Sequence, residues 1–335
     1  MRCQDRDEWT RAHRYLRVWP LALVAVAVAV AASACGGRPQ GSSAVSLPAG
    51  PASNLTGSIS ADGSSTVGPL IQLAAERFAT TNPRVDITVG VAGTGGGFQR
   101  FCAGETDISD ASRPIKPIEA AACKKAGIAY SEIAIANDGI SIIVNPDNTW
   151  VSCLTVAQLA KIWGVKSQVG NWRDLDPAYP SVSMRLYGPG TDSGTFDFFT
   201  AQINGEEDVS RSDYSASEDD NVIVQGVGGD RGALGYLGLS YAEENASLVK
   251  LLAVDGGHGC VKPGTKTVQD GTYAPLSRPL FVYVKHRSAQ RPEVKAFLDY
   301  LVTYAGEIAT AAHFVPLTLS QRAKALTALA AAVGE

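Results

Sequence analysis

The sequence predicts an α/β protein in two lobes, and three observations carry that prediction. The chain has 335 residues, more than one core comfortably organises, although a single α/β barrel can reach that size. Its composition, 45% hydrophobic and 19% charged, is that of a globular protein and excludes wholesale disorder. Segments with strand period also run repeatedly through turns rich in Gly, Ser and Thr into segments with helix period. The net charge is −4. Residues 1–35 hold five Arg against three acids, so the remainder carries −6. No basic stripe interleaved with aromatics is present, so a nucleic-acid partner is not expected.

The N-terminal residues read as an export signal. Arg11, Arg14 and Arg17 precede an apolar run, Leu21 to Ala32, followed by Ser33-Ala34-Cys35-Gly36-Gly37. That run is well short of the ~20 residues needed to cross a bilayer. Small residues leading directly into Cys35 resemble a bacterial lipobox, although Ala32 stands where Leu is commonest. This implies cleavage before Cys35 and lipidation of its thiol, with residues 1–34 as signal peptide. Asp5, Asp7 and Glu8 are unusual before an apolar core, which points to a natural start downstream of Met1. Residues 35–56, rich in Gly, Ser, Ala and Pro, read as a flexible tether.

Of the six Cys, Cys3 falls in the leader and Cys35 is the anchor candidate. Cys102, Cys123, Cys153 and Cys260 remain, an even number that suits two disulfides in an oxidising compartment, with three pairings open. A zinc site would want a C-x-x-C or a paired His, and neither occurs. No metal and no cofactor is expected.

Ile59 to Gly63 reads as a strand that ends in Ser64-Ser65-Thr66. Pro69 suits a first helical turn, and Leu70, Ala74 and Phe78 recur at helical spacing before Asn82-Pro83. One hydroxyl would cap that helix, so three leave donors over. Val85, Ile87, Val89 and Val91 alternate as a strand, and Thr94-Gly95-Gly96-Gly97 opens into Phe98-Gln99-Arg100-Phe101. Glycines there let helix N-terminal N–H groups approach an anion. Ser109, Asp110, Ser112 and Arg113 follow.

Pro117 to Lys125 reads as a helix and Ile128 to Ile135 as a strand. Asn137-Asp138-Gly139 is expected to interrupt before a second strand, Ile140 to Val144. Thr155 caps a helix with Leu159, Ile162 and Trp163 on its core face. Met184 to Tyr187 then leads through Gly190-Thr191-Asp192-Ser193-Gly194-Thr195 into a helix with Phe196 and Phe199, a third strand–hydroxyl turn–helix unit. Further on come a short helix over Asn221 to Val227, a strand from Gly232-Ala233, a strand segment from Tyr273 to Val284, and two packing helices. Three such turns suggest convergence on one oxyanion outside the carboxyl ends of the strands. Hydrogen bonds to a charged ligand are worth ~1.5–3 kcal/mol each.

The segments DGSSTVGPLIQLAAERF (62–78), GTGGGFQRFCAGETDISDASRPIK (93–116), NDGISIIVNPDN (137–148), GTDSGTFDFF (190–199), GALGYLG (232–238) and YAPLSRPLFVYVK (273–285) resemble the phosphate-binding lipoproteins of phosphate ABC importers. The resemblance spans essentially the whole mature chain, in matching order. It implies a two-lobe periplasmic-binding-protein fold of type II, with mixed sheets flanked by helices and the ligand in the interlobe cleft. Residues 57–137 and 277–335 would form lobe I and residues 138–276 lobe II. It further implies a monomeric, lipid-anchored protein on the outer face of the cell membrane, handing inorganic phosphate to permease and ATPase subunits.

Carried over residue by residue, Ser65 and Thr66 resemble the donors of the first turn, Thr94 that of the second, and Ser193, Gly194 and Thr195 those of the third. The best-known branch has an Arg just before S-G-T and an Asp after A-S. Pro189 and Arg113 stand in those places here, and a branch with A-S-R-P-I is closer. Arg113 would then be the cation, and Asp138 the carboxylate that accepts the phosphate proton, with Asp110 and Asp192 behind it. Other readings are a different oxyanion (sulfate, molybdate or phosphonate) and a phosphate sensor or adhesin on this fold. A serine hydrolase using Ser193 or Ser65 would need an adjacent base, and His258, His286 and His313 lie in no recognisable triad motif.

Overall fold

The structure, a computed structural model, describes residues 48, 50, 54–191 and 193–334. The expected signal peptide, Cys35, most of the expected tether and Asp192 lie outside the described residues. The elements follow in chain order: β1 (Gly57–Gly63), α1 (Gly68–Ala79), β2 (Val85–Gly90), α2 (Gly93–Ala103), β3 (Ile108–Ala111), α3 (Pro117–Lys125) and β4 (Tyr130–Val144). Next come β5 (Cys153–Thr155), α4 (Val156–Trp163), α5 (Trp172–Leu175), β6 (Arg185–Gly188), α6 (Gly194–Ile203), β7 (Ser215–Ala216), α7 (Asp220–Gly229), β8 (Ala233–Gly238) and α8 (Leu239–Glu244). The remainder comprises β9 (Lys250–Asp255), β10 (Cys260–Val261), α9 (Thr265–Gln269), β11 (Ser277–Lys285), α10 (His286–Ala289), α11 (Pro292–Thr303), α12 (Ala305–Ala311) and α13 (Leu319–Val333).

The sheet is mixed, as expected, with strand order β2-β1-β3-β11-β4-β8-β6-β7. β1 runs parallel to β2 and β3, whereas β11 pairs antiparallel with both β3 and β4. The far half of β4 pairs antiparallel with β8 on one edge and β9 on the other. Two large hydrophobic clusters flank this arrangement. One joins Ile59, Leu70, Phe78, Ile133, Val282, Phe297 and Leu329. The other joins Ile142, Leu159, Trp163, Phe199, Tyr236 and Leu252. Two separate cores make the two lobes: β4 runs from one into the other, and the chain returns from Leu276 of the second core into β11 of the first.

The expected interruption at Asn137-Asp138-Gly139 does not occur. β4 is continuous because Asn137, Asp138 and Gly139 lie opposite Pro279, Arg278 and Ser277 of β11. A ladder partner outweighs turn propensity, which is only a local preference. Gly139 also has no room for a side chain, since a Cβ there would lie 2.6 Å from Val268. The second difference is at Gly93, where α2 begins: the glycines form its first turns rather than a preceding loop. Gly97 is required there, because a Cβ would come within 2.5 Å of Gly63 Cα, where the helix crosses β1.

The four mature cysteines pair as Cys102–Cys123 and Cys153–Cys260. The first ties α2 to α3, and the second closes a separation of 107 residues by joining β5 to β10. Closing a loop of that length is worth about 4–5 kcal/mol in the chain-entropy account. No helix among the described residues is long and apolar enough to cross a membrane.

Candidate functional site

Three helix N-termini meet where the two cores face each other. α1 begins after Ser64-Ser65-Thr66, α2 at Gly93, and α6 at Gly194 with Ser193 as its cap. The α1 and α6 termini are in direct contact. A Cβ on Gly194 would sit 2.2 Å from Thr66 Oγ1 and 2.8 Å from Ser65 Oγ, so only glycine allows the approach. Of the three hydroxyls before α1, Ser64 accepts from the Thr66 N–H at 3.2 Å and so acts locally. Ser65 donates to Asp197 Oδ2 of α6 at 2.7 Å, and Thr66 accepts from Arg278 at 2.7 Å. The surplus hydroxyls are thus spent on partners from other elements. Ser193 Oγ accepts from the Thr195 N–H at 3.2 Å, an ordinary helix cap.

At the centre of this junction lies Arg278, which sequence reasoning missed. Its side chain is one-tenth exposed. Nε donates to Asp138 Oδ2 at 3.1 Å, and Nη2 donates to Thr66 Oγ1 and, at 3.2 Å, to the Gly194 carbonyl. Its planar group lies 3.9 Å from the centre of the Phe198 ring. One guanidinium therefore touches α1, α6 and β4, an assignment that suits a planar five-donor fork and not an ammonium. Burial draws its pKa down and the Asp138 carboxylate opposes this, leaving it charged at any physiological pH.

A cavity of about 600 Å³ opens from this junction. One wall is the first turn of α2, Gly93 to Gly96, whose N-terminal N–H groups have no partner within the helix, with Ser112, Arg113 and Lys116 beside it. The other wall carries Asp197, Phe198, Gln202, Glu207 and Asp208, and Arg278 reaches it from below. Thr94 lines the cavity and lies 3.1 Å from Ser112 Oγ, so the two hydroxyls share one site. Arg113 also lines it, but as half of a two-pronged pair with Glu119, whose oxygens stand 2.8 and 2.9 Å away. That pair holds the Glu119 carboxyl below its ordinary pKa against the opposing effect of burial.

The expected site residues are thus brought together unevenly. Thr94 and Arg113 line the cavity. Ser65, Thr66 and Gly194 do not line it: Thr66 and the Gly194 carbonyl accept from Arg278, and Ser65 donates to Asp197, while Ser193 and Thr195 serve the α6 terminus. Asp138 does not line the cavity, and its carboxylate is engaged by Arg278. Asp110 stands elsewhere: it is fully buried on β3, and its carboxyl oxygens lack a hydrogen-bond partner. Burial and the nearby Asp62 push its pKa up to about 7, so it is a neutral interior acid at mildly acidic pH. Asp62 itself is held by Arg100 and by the Ala92 N–H at 2.9 Å, which fixes the approach to α2.

One sequence signal could have found Arg278. It is a charged residue two places before the apolar run Leu280 to Val284, directly opposite Asp138 in the ladder. Asp197 carried none, because a carboxylate in the first turn of a helix is ordinary. Among the described residues, no His is hydrogen-bonded to Ser65 or Ser193. Ser131 Oγ of β4 lies 3.0 Å from His286 Nε2, and neither residue lines the cavity.

The PBP superfamily domain matches residues 49–304. SphX of Synechococcus elongatus is 46% identical over 81% of this chain and 79% of its own. The phosphate-binding protein PstS of Staphylococcus saprophyticus is 40% identical over 78% of this chain and 81% of its own. A crystal structure of a possible phosphate binding protein from Planctomyces limnophilus superposes with a TM-score of 0.80 at 44% identity, covering 83% of this chain and 99% of the other. The chain belongs to the PstS phosphate-binding family of that superfamily. Its members are substrate-binding proteins of a transporter and not enzymes. The PstS family fold also explains why three helix N-termini, from two lobes, converge on a single junction.

Proposed function

We propose that this protein captures inorganic phosphate outside the cytoplasm and delivers it, as a lipoprotein anchored through Cys35, to the permease and ATPase subunits of an ABC importer. The observation that carries the ligand assignment is Arg278, a nearly buried cation set among three helix N-termini. A tetrahedral anion suits that arrangement, because helix N-termini and guanidinium all favour negative charge and present N–H donors from several directions. Thr94, Ser112 and the α2 N–H groups would hold its other oxygens, and Arg113 and Lys116 would guard the entrance. The names of the PstS relatives support phosphate over other oxyanions. The leader, with its small residues before Cys35, supports export and anchoring.

Calorimetric titration with phosphate and with sulfate tests the ligand. Phosphate should bind at micromolar concentration or below and sulfate far more weakly. Equal affinity for both would overturn the assignment. Radiolabelled palmitate incorporation that persists in Cys35→Ser would overturn the anchor.

A further inference from the structure

A second cavity, of about 720 Å³, opens at the far end of β3 from the first. Ser112 and Arg113, which line the first, follow the last residue of β3, whereas Asp107, which lines the second, precedes its first. The strand between them is roughly 13 Å long. Lys285, Arg287 and Arg291 bring three cations to this second lining, against Asp107 as its one carboxylate. Along β11, Phe281, Tyr283 and Lys285 alternate onto one face, and the first two pack with Phe98, Phe101 and the Cys102–Cys123 disulfide. Lys285 continues that row to the end of the strand. It is therefore nine-tenths buried, with its ammonium 5.1 Å from the centre of the Phe101 ring. The ammonium has no hydrogen-bond or ion-pair partner among the described residues. Its acidic neighbour is already committed. Asp107 accepts from the Ser60 N–H at 3.0 Å and from Ser288 Oγ at 2.7 Å, and it pairs with Arg291 at 2.7 Å. His286 is engaged with Ser131, and Arg287 is exposed at the rim. A buried charge without a counter-ion is costly, and a ring face beside it compensates only in part.

We propose that this cavity is a second anion site, in which Lys285 pairs with a phosphate group, either free phosphate or the headgroup of an anionic lipid. An ammonium is a compact point charge with three donors, which suits one oxygen of a tetrahedral anion. Arg287 adds positive charge at the rim, and Arg291 is already neutralised by Asp107. Burial draws the Lys285 ammonium below its ordinary pKa, with Asp107 and Glu105 opposing, and a bound anion would oppose it further. The volume leaves room for what a phosphodiester carries beyond its phosphate. The start of β1 lies beside the cavity, since Gly57 rests against the carboxyl of Glu293, which flanks Arg291. The chain that leads from Cys35 thus enters the fold at this end. The lipid source rests on the anchoring reading given above; the site itself does not.

Carbon NMR of the full chain decides this, with the Lys285 Cε signal assigned by its loss in Lys285→Met. Inorganic phosphate at millimolar concentration should shift that signal in wild type and in Arg278→Ala alike, because the second site does not depend on the first. Dihexanoyl phosphatidylglycerol, set against dihexanoyl phosphatidylcholine, separates the sources. A shift at tenfold lower concentration with the glycerol lipid than with inorganic phosphate, and none with the choline lipid, assigns the site to a headgroup. A shift with inorganic phosphate at equal or lower concentration assigns it to the free anion. No shift with either, or an equal shift with chloride at matched ionic strength, would overturn the site. Lys285→Met keeps the length of the stem, so without phosphate it should melt no lower than wild type. A lower melting temperature would show that the charge already has its compensation, and would also overturn the proposal. Calorimetry of Lys285→Met should retain the tight phosphate event of wild type. Absence of that event in wild type itself would overturn the phosphate reading of the first cavity, and the Cε signal would still decide the second.

Discussion

Arg113 and Arg278 are both paired with a carboxylate at the same cavity, yet their surroundings assign them different work. Arg113 grips Glu119 six residues away on its own segment, and its side chain is 30% exposed. Arg278 is 10% exposed and reaches β4, α1 and α6, elements far apart in sequence. A partly solvated local pair is worth little, because water screens it and both partners could hydrogen-bond to solvent instead. A buried charge with several fixed partners cannot be relieved in that way. The cation that looks prominent in a motif is therefore the weaker of the two.

Arg278→Ala should be the most damaging change. It leaves Asp138 buried without its partner and removes the central charge. Losses on breaking such pairs run to about 3–5 kcal/mol. We expect phosphate affinity to fall by about a hundredfold or more in calorimetry, with a lower melting temperature. Affinity within threefold of wild type would reverse the ranking of the two arginines. Asp138→Asn should come next, lowering stability by about 1–3 kcal/mol through the weakened pair. It should also leave phosphate binding intact or tighter, since the guanidinium is then less neutralised. If phosphate binding collapsed instead, Asp138 would be touching the ligand after all.

Arg113→Ala should cost less than about 1 kcal/mol. That is under tenfold in Kd, and the difference from wild type should shrink as salt is raised. A loss as large as that of Arg278→Ala would place the ligand at the α2 wall alone. The smallest effect concerns buried carboxyls. Asp110, raised to about 7, and Asp220, raised to about 6 by burial, keep protons in the folded state that they lose when unfolded. Stability from such groups is present at low pH and is lost as pH rises through the folded value. The melting temperature should therefore be higher at pH 5 than at pH 8, and Asp110→Asn should flatten that slope. A steeper slope in the variant would contradict the assignment of Asp110 as the source.

Much of this was legible in the sequence where a local signal coincided with a tertiary one. α3, predicted over Pro117 to Lys125, occupies that span, and Thr155 caps α4 by accepting from the Gln158 N–H at 3.1 Å. Ser65 and Thr66 stand out because hydroxyls exceed what capping needs, and the surplus does reach other elements, whereas Thr94 is picked out by the resemblance alone. What stayed hidden depended on pairing. The continuity of β4 exists only because β11 lies beside it, and the role of Arg278 follows from facing Asp138 across 140 residues of chain.

The continuity of β4 and β11 has a mechanical consequence. β4 passes from one core into the other, β11 begins at the same level, and Asp138 faces Arg278 there. Rotation of one lobe against the other would twist these strands most gently at that place, as a door moves least beside its hinge pin. The α1, α2 and α6 termini would swing, while the guanidinium stayed almost where it is. An anion arriving at an open cleft would thus meet the same cation that holds it in the shut one, and closure would add donors without having to create the attraction.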